Sequence, residues 1–110
     1  MKNASGIHPS GHRILVIPEQ VMKSESNSIV LPDAVEERHA LAQTAGYIVE
    51  IGKTAWQKDD FGNTKWAEVG DRVLFSKYGG LVLRGNDGKQ YRLLNDEDIV
   101  AIVDEGVEVE

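Results

Sequence analysis

The apolar residues of this chain come in short runs that do not recur at helical spacing. Arg13-Ile14-Leu15-Val16-Ile17 is stopped by Pro18, and Tyr47-Ile48-Val49-Glu50-Ile51 lies between Gly46 and Gly52. Arg72-Val73-Leu74-Phe75 follows Gly70-Asp71, Leu81-Val82-Leu83 follows Gly79-Gly80, and Tyr91-Arg92-Leu93-Leu94 follows Asn86-Asp87-Gly88. Ile99-Val100-Ala101-Ile102-Val103 is the last run. Runs rich in β-branched residues and punctuated by Gly, Asn and Asp predict strands. Short strands at this density in one domain predict an all-β barrel or sandwich. Gly85-Asn86-Asp87-Gly88 predicts a tight hairpin, because these residues tolerate positive φ. Asn95 to Asp98 predicts a short helical turn capped by Asn95. The mostly polar stretch from Gly52 to Val69 predicts a long surface hairpin, with Trp56 and Trp66 as its local packing.

Two segments depart from the pattern. Glu19 to Ala45 spans 27 residues without clear periodicity. A loop of that length in a compact domain is functional or disordered. Within it, Ile29-Val30-Leu31 stands between Ser28 and Pro32-Asp33. One reading is a short core strand. The other is an apolar triplet on a flexible tether that docks into a groove on another protein. Burying each side chain is worth about 1.5–3 kcal/mol, and ordering the flanking backbone costs roughly 1–2 kcal/mol per residue. One copy would then bind weakly, and many copies on one scaffold would bind well.

The second departure is a lack of alternation. Ile14, Leu15, Val16 and Ile17, and likewise Ile99, Val100, Ile102 and Val103, are apolar on both faces of their strands. Such strands are covered on both sides. The cover comes either from the long loop folding back or from a neighbouring copy paired edge to edge in a ring.

Length and charge narrow the possibilities. The 110 residues allow one domain, and a chain this small buries only about two-thirds of its unfolded surface, which favours assembly. Its 12 basic and 18 acidic side chains give a net charge of −6, without the basic surplus that nucleic acid needs. With no cysteine there is no disulfide, thiolate metal site or cysteine nucleophile. No apolar stretch approaches the roughly 18 residues of a membrane span, and residues 1–6 lead into no signal core. The expectation is a soluble cytoplasmic protein with a flexible lead-in over 1–6. His8 and His12 are four apart, but Pro9 and Gly11 break any helix between them, so no metal site is expected. There is no phosphate loop, nucleophile elbow or activated nucleophile, so no enzyme and no cofactor are expected. Residues 104–110 form an acidic tail that reads as a solvated terminus.

These runs carry a resemblance. The chain resembles the GroES-type co-chaperonins, the small ring-forming lids of group I chaperonins, from about Ile7 to Val103. Pro9 to Val16 is similar to the family's opening strand, with His12 where the family usually has Asp. Ile29-Val30-Leu31-Pro32-Asp33 matches the tripeptide of its mobile loop, and Gly46 to Gly52 the strand that leaves that loop. Val69 to Gly80 is the most specific stretch, and Asp96 to Val103 resembles the closing turn and strand. Asn27-Ser28 replaces a pair of glycines common in the family. Trp56, Phe61 and Trp66 are unusual for the hairpin that roofs the family's dome. Such drift suits a divergent or viral member.

The resemblance implies a small irregular Greek-key β-barrel over 7–103, with a mobile loop over 19–45 and a roof hairpin over 52–69. It implies a homo-heptameric dome whose subunits dock Ile29, Val30 and Leu31 into a group I chaperonin while ATP acts on the chaperonin. It places Tyr78 facing the enclosed chamber. The alternative is a ring-forming assembly protein without a chaperonin.

Overall fold

The computed structural model describes residues 2–23, 43–57, 64–76 and 79–108. Six strands form: β1 (Arg13–Pro18), β2 (Gln43–Ile51), β3 (Arg72–Ser76), β4 (Leu81–Arg84), β5 (Gln90–Asn95) and β6 (Ile99–Ile102). A short helix α1 (Glu19–Lys23) follows β1, and a 3-10 turn (Asp96–Asp98) precedes β6. Every β-run of the sequence is a strand, and the Asp98 carboxylate accepts the Asn95 backbone N–H at 3.0 Å at the turn's start.

The strands form one antiparallel sheet in the order β4-β5-β1-β2-β3-β6. Three consecutive strands followed by a hairpin that returns beside the first is the Greek-key pattern. The fold is all-β with a Greek-key order, as expected. Bulges at Leu15/Val16 and Leu74/Phe75 bend the sheet around its core. Gly46 lets β1 and β2 approach: a Cβ there would lie 2.7 Å from the Ile17 carbonyl oxygen and 2.7 Å from Val16 Cγ1.

The continuous apolar run of β1 is explained inside the chain. Ile14 and Val16 point into one buried cluster with Ile48, Trp56, Val73, Phe75, Leu94 and Ile99. Leu15 and Ile17 point the other way, into a second cluster with Tyr47, Val49 and Tyr91, covered by Ile7, Val21 and Met22. β1 is hydrogen-bonded on both sides, to β5 and β2. The expectation that Ile14, Leu15, Val16 and Ile17 meet a neighbouring copy is therefore corrected. All four are buried in their own subunit, and β1 offers no free edge.

Three boundaries also change. Of the expected 19–45 loop, residues 19–23 form α1, which packs on the second cluster, residues 43–45 pair with β3, and 24–42 lie outside the described residues. Within the 1–6 lead-in, the described residues are docked on the sheet. Asn3 donates to Glu50 at 2.6 Å, Ser5 is buried, and the Asn86 N–H donates to the Ser5 carbonyl at 2.7 Å. Between Gly52 and Val69, the described residues contain turns and no strand. Trp56 is no roof residue but a fully buried part of the first cluster. Its backbone is left-handed (φ 59°), a costly conformation for an aromatic residue. Two bonds hold it: its N–H donates to the Asp96 carboxylate and its indole N–H to the Asp96 carbonyl, both at 2.9 Å. The sequence places these partners forty residues apart.

Arg92 enters the first cluster as a buried cation. Its guanidinium lies 5.5 Å from the Phe75 ring centroid and donates to the Gly79 carbonyl, and burial pulls its pKa down.

Asp96→Ala removes the acceptor of a buried N–H. It is expected to lower stability by about 1–3 kcal/mol, read as a reduced urea midpoint by far-UV circular dichroism. An unchanged midpoint would show that the Trp56 turn does not depend on this carboxylate.

Tyr91 is buried in the second cluster and donates to the Asp87 carboxylate. Burial first, then that bond, pushes its phenol from 10.0 up to about 12. The raised value means that folding favours the neutral phenol. The resulting stability is complete below about pH 10 and lost as pH rises through about 12. Urea midpoints measured at intervals up to pH 12 are expected to fall in that window, and Tyr91→Phe is expected to flatten the fall. An equal fall in Tyr91→Phe would assign it to other groups.

Candidate functional site

The sheet has two edges, β4 and β6. Among the described residues β6 pairs with β3 alone, through Val73 with Ile102, Leu74 with Ala101, and Phe75 with Ile99. Its alternation is partial. Ile99 turns inward and is buried, while Val100 and Ile102 keep 56% and 51% of their surface exposed. Val103 is half-buried, and its N–H donates to the Arg72 carbonyl at 2.9 Å. Trp66, 38% exposed, lines a shallow groove with Ile99 to Ile102. It stacks on Trp56 with ring centroids 6.0 Å apart, so the buried indole positions the exposed one. An open strand edge bearing aliphatics and an aromatic is a pairing surface. Of the expected interface residues, the structure thus leaves Val100 and Ile102 exposed at an edge and places Ile99 in the core. The sequence did not nominate Trp66 for this edge. Its companion Trp56 and the mostly polar stretch around both were the available signal.

The opposite edge, β4, also carries exposed aliphatics, Leu81 at 59% and Val82 at 55%.

The segment between α1 and β2 leaves and returns at one end of the sheet, because β1 and β2 are antiparallel neighbours with Pro18 opposite Gly46. Ile29, Val30 and Leu31 lie outside the described residues, as does Tyr78. At the roots, Arg72 is forked onto Glu19, with Nε to Oε1 at 2.7 Å and Nη2 to Oε2 at 3.2 Å. This bond raises the Arg72 pKa above its usual value. Tyr47 is raised by burial and by its bond to Glu105.

The two described histidines, His8 and His12, have ordinary partners. His8 Nδ1 lies 3.1 Å from Glu50, and His12 Nδ1 lies 2.8 Å from the Thr54 carbonyl. The Glu50 carboxyl sits below its ordinary range, chiefly through its bond from Asn3. Among the described residues no three His, Asp or Glu side chains group as metal ligands, and no helix is long and apolar enough to cross a membrane.

Comparison with known proteins agrees with this architecture over nearly the whole chain. Residues 6–103 match the family model described as Chaperonin 10 Kd subunit. Co-chaperonin GroES of Kosmotoga olearia is 36% identical over 97 residues, covering 88% of this chain and 96% of the relative. Co-chaperonin GroES of Bacillus sp. strain PS3 is 33% identical over 101 residues, with 88% and 98% covered. That of Corynebacterium jeikeium is 33% identical over 98 residues, with 89% and 94% covered. With its single Greek-key sheet and its match from residue 6 to residue 103, the chain belongs to the chaperonin 10 family, the GroES-type co-chaperonins.

Proposed function

We propose that this chain is the lid subunit of a group I chaperonin: a homo-heptamer that caps the ATP-bound chaperonin and encloses substrate protein for folding in the cytoplasm. The observation that carries the reading is the family match over residues 6–103, which spans both the loop segment and the β6 edge. Each subunit lowers Ile29, Val30 and Leu31 into an apolar groove on the chaperonin. The connection that carries them leaves and returns at one end of the sheet, as a tether should. Subunits join through β6. Both sides of β1 are occupied inside the chain, so the neighbour meets the exposed Val100, Ile102 and Trp66 at the β6 edge. The protein works by binding and enclosure, with no catalytic chemistry, cofactor or metal of its own, and without nucleic acid or membrane. Tyr78 faces the chamber.

Replacing Ile29, Val30 and Leu31 together by Ser is expected to abolish nucleotide-dependent co-elution with a group I chaperonin while sedimentation still shows the ring. Undiminished co-elution would refute the tripeptide's role. A ring that never co-elutes, even in the unaltered protein, would favour an assembly protein without a chaperonin.

Val100→Asp with Ile102→Asp places charge on the open edge. Sedimentation is expected to show monomers at micromolar concentration, with the far-UV spectrum retained. A ring that survives both charges would move the subunit contact elsewhere.

A further inference from the structure

Asp104 and Glu105, the first acidic residues after β6, are held to the sheet. Beyond the Val103 bond to Arg72, the Asp104 carbonyl accepts Arg72 Nη1 at 2.6 Å. The Tyr47 hydroxyl donates to both carboxylate oxygens of Glu105, at 2.9 and 3.0 Å. A turn closes the segment, with the Val107 N–H donating to the Asp104 carbonyl at 3.1 Å. Arg72 and Tyr47 are cross-strand partners in the β2–β3 ladder, and both are buried. The remaining nitrogens of the Arg72 fork hold Glu19, the first residue of α1.

We infer that Asp104 and Glu105 form an intramolecular clasp, seated on Arg72 and Tyr47, through which the carboxyl-terminal tail fixes α1 against the middle of β2 and the start of β3. One planar guanidinium contacts the tail on one side and α1 on the other. A lysine point charge cannot hold both in that geometry. α1 has five residues, far too few for an autonomous helix, so its order depends on what holds it. It has the packing of Val21 and Met22 and the Glu19 fork, and the fork is itself braced by the tail. Strands β2 to β6 lie between helix and tail in the sequence, so the clasp joins the edge strand β6 to the α1 root of the connection between α1 and β2. Its consequence for capping rests on the proposed function: an anchored root leaves less backbone to order when the tripeptide docks.

The test uses the full-length protein and backbone amide hydrogen exchange, resolved over α1, β2 and the tail. Arg72→Lys is expected to speed exchange in α1 roughly tenfold. Glu105→Ala and Tyr47→Phe are each expected to speed exchange at Val107 and in α1 together, by roughly threefold, and the double variant by no more than either single one. Exchange in β1 and β5 is expected to stay unchanged in the Tyr47 and Glu105 variants. α1 exchange that is unaltered in both Glu105→Ala and Tyr47→Phe would overturn the clasp, whatever Arg72→Lys does. Additive effects in the double variant would overturn it as well, since they would show two unrelated contacts. The Ile29, Val30 and Leu31 replacement judges the lid reading by co-elution, so the clasp and the lid can fail separately.

Discussion

The structure depends on one constraint: β1 is apolar on both faces and therefore has to be enclosed from both. Four consecutive aliphatics, each worth about 1.5–3 kcal/mol on burial, cannot sit at an edge or on a half-wet sheet. The chain satisfies this by setting β1 between β5 and β2, curling the sheet around Ile14 and Val16, and laying α1 and the lead-in over Leu15 and Ile17. The remaining order follows. With β5 taken on one side and β2 on the other, β4 and β6 are pushed outward and become the edges. The elements that would have covered an edge are used on the second cluster, and Val100 and Ile102 stay in solvent.

This division explains what could be read from the chain. Strand positions were legible, because β-branched runs between glycines and asparagines are local signals, and so was the hairpin at Gly85 to Gly88. Pairing order was not. Ile14–Ile17 and Ile99–Val103 look alike as strings, and what separates them is the number of strands beside each, a property of contacts made far along the chain. The same holds for Trp56. An aromatic residue in a polar stretch suggests a surface hairpin, yet Asp96 supplies an acceptor for its N–H and draws it into the core. The docked lead-in depends on Asn3 meeting Glu50, and the order of α1 on Glu19 meeting Arg72. Each pair is two unremarkable polar residues until the sheet brings them together. Local propensity reports elements, whereas site geometry is set by a few long-range polar bonds that leave no periodic trace.

Weak contacts repeated many times give the proposed lid its physical logic. The gain from burying one tripeptide nearly cancels the cost of ordering its tether, so a lone subunit would hold a partner only briefly. Two exposed aliphatics and one tryptophan are likewise a modest surface. Association costs an estimated 4–15 kcal/mol in lost freedom, so one such contact between two free subunits is marginal. A closed ring changes that balance, because every subunit then uses its β6 edge and receives another's, and closure makes the last contact intramolecular. In the proposed lid, ring and capping are coupled for this reason. The edge strand that is too weak to make a stable dimer is sufficient in a circle, and only the circle raises several feeble tethers to a useful affinity. The same arithmetic gives root order its leverage. In the proposed ring a small change in the freedom of one tether is repeated in every subunit, so a contact as slight as a tail carboxylate on a tyrosine hydroxyl would be multiplied by the symmetry of that assembly.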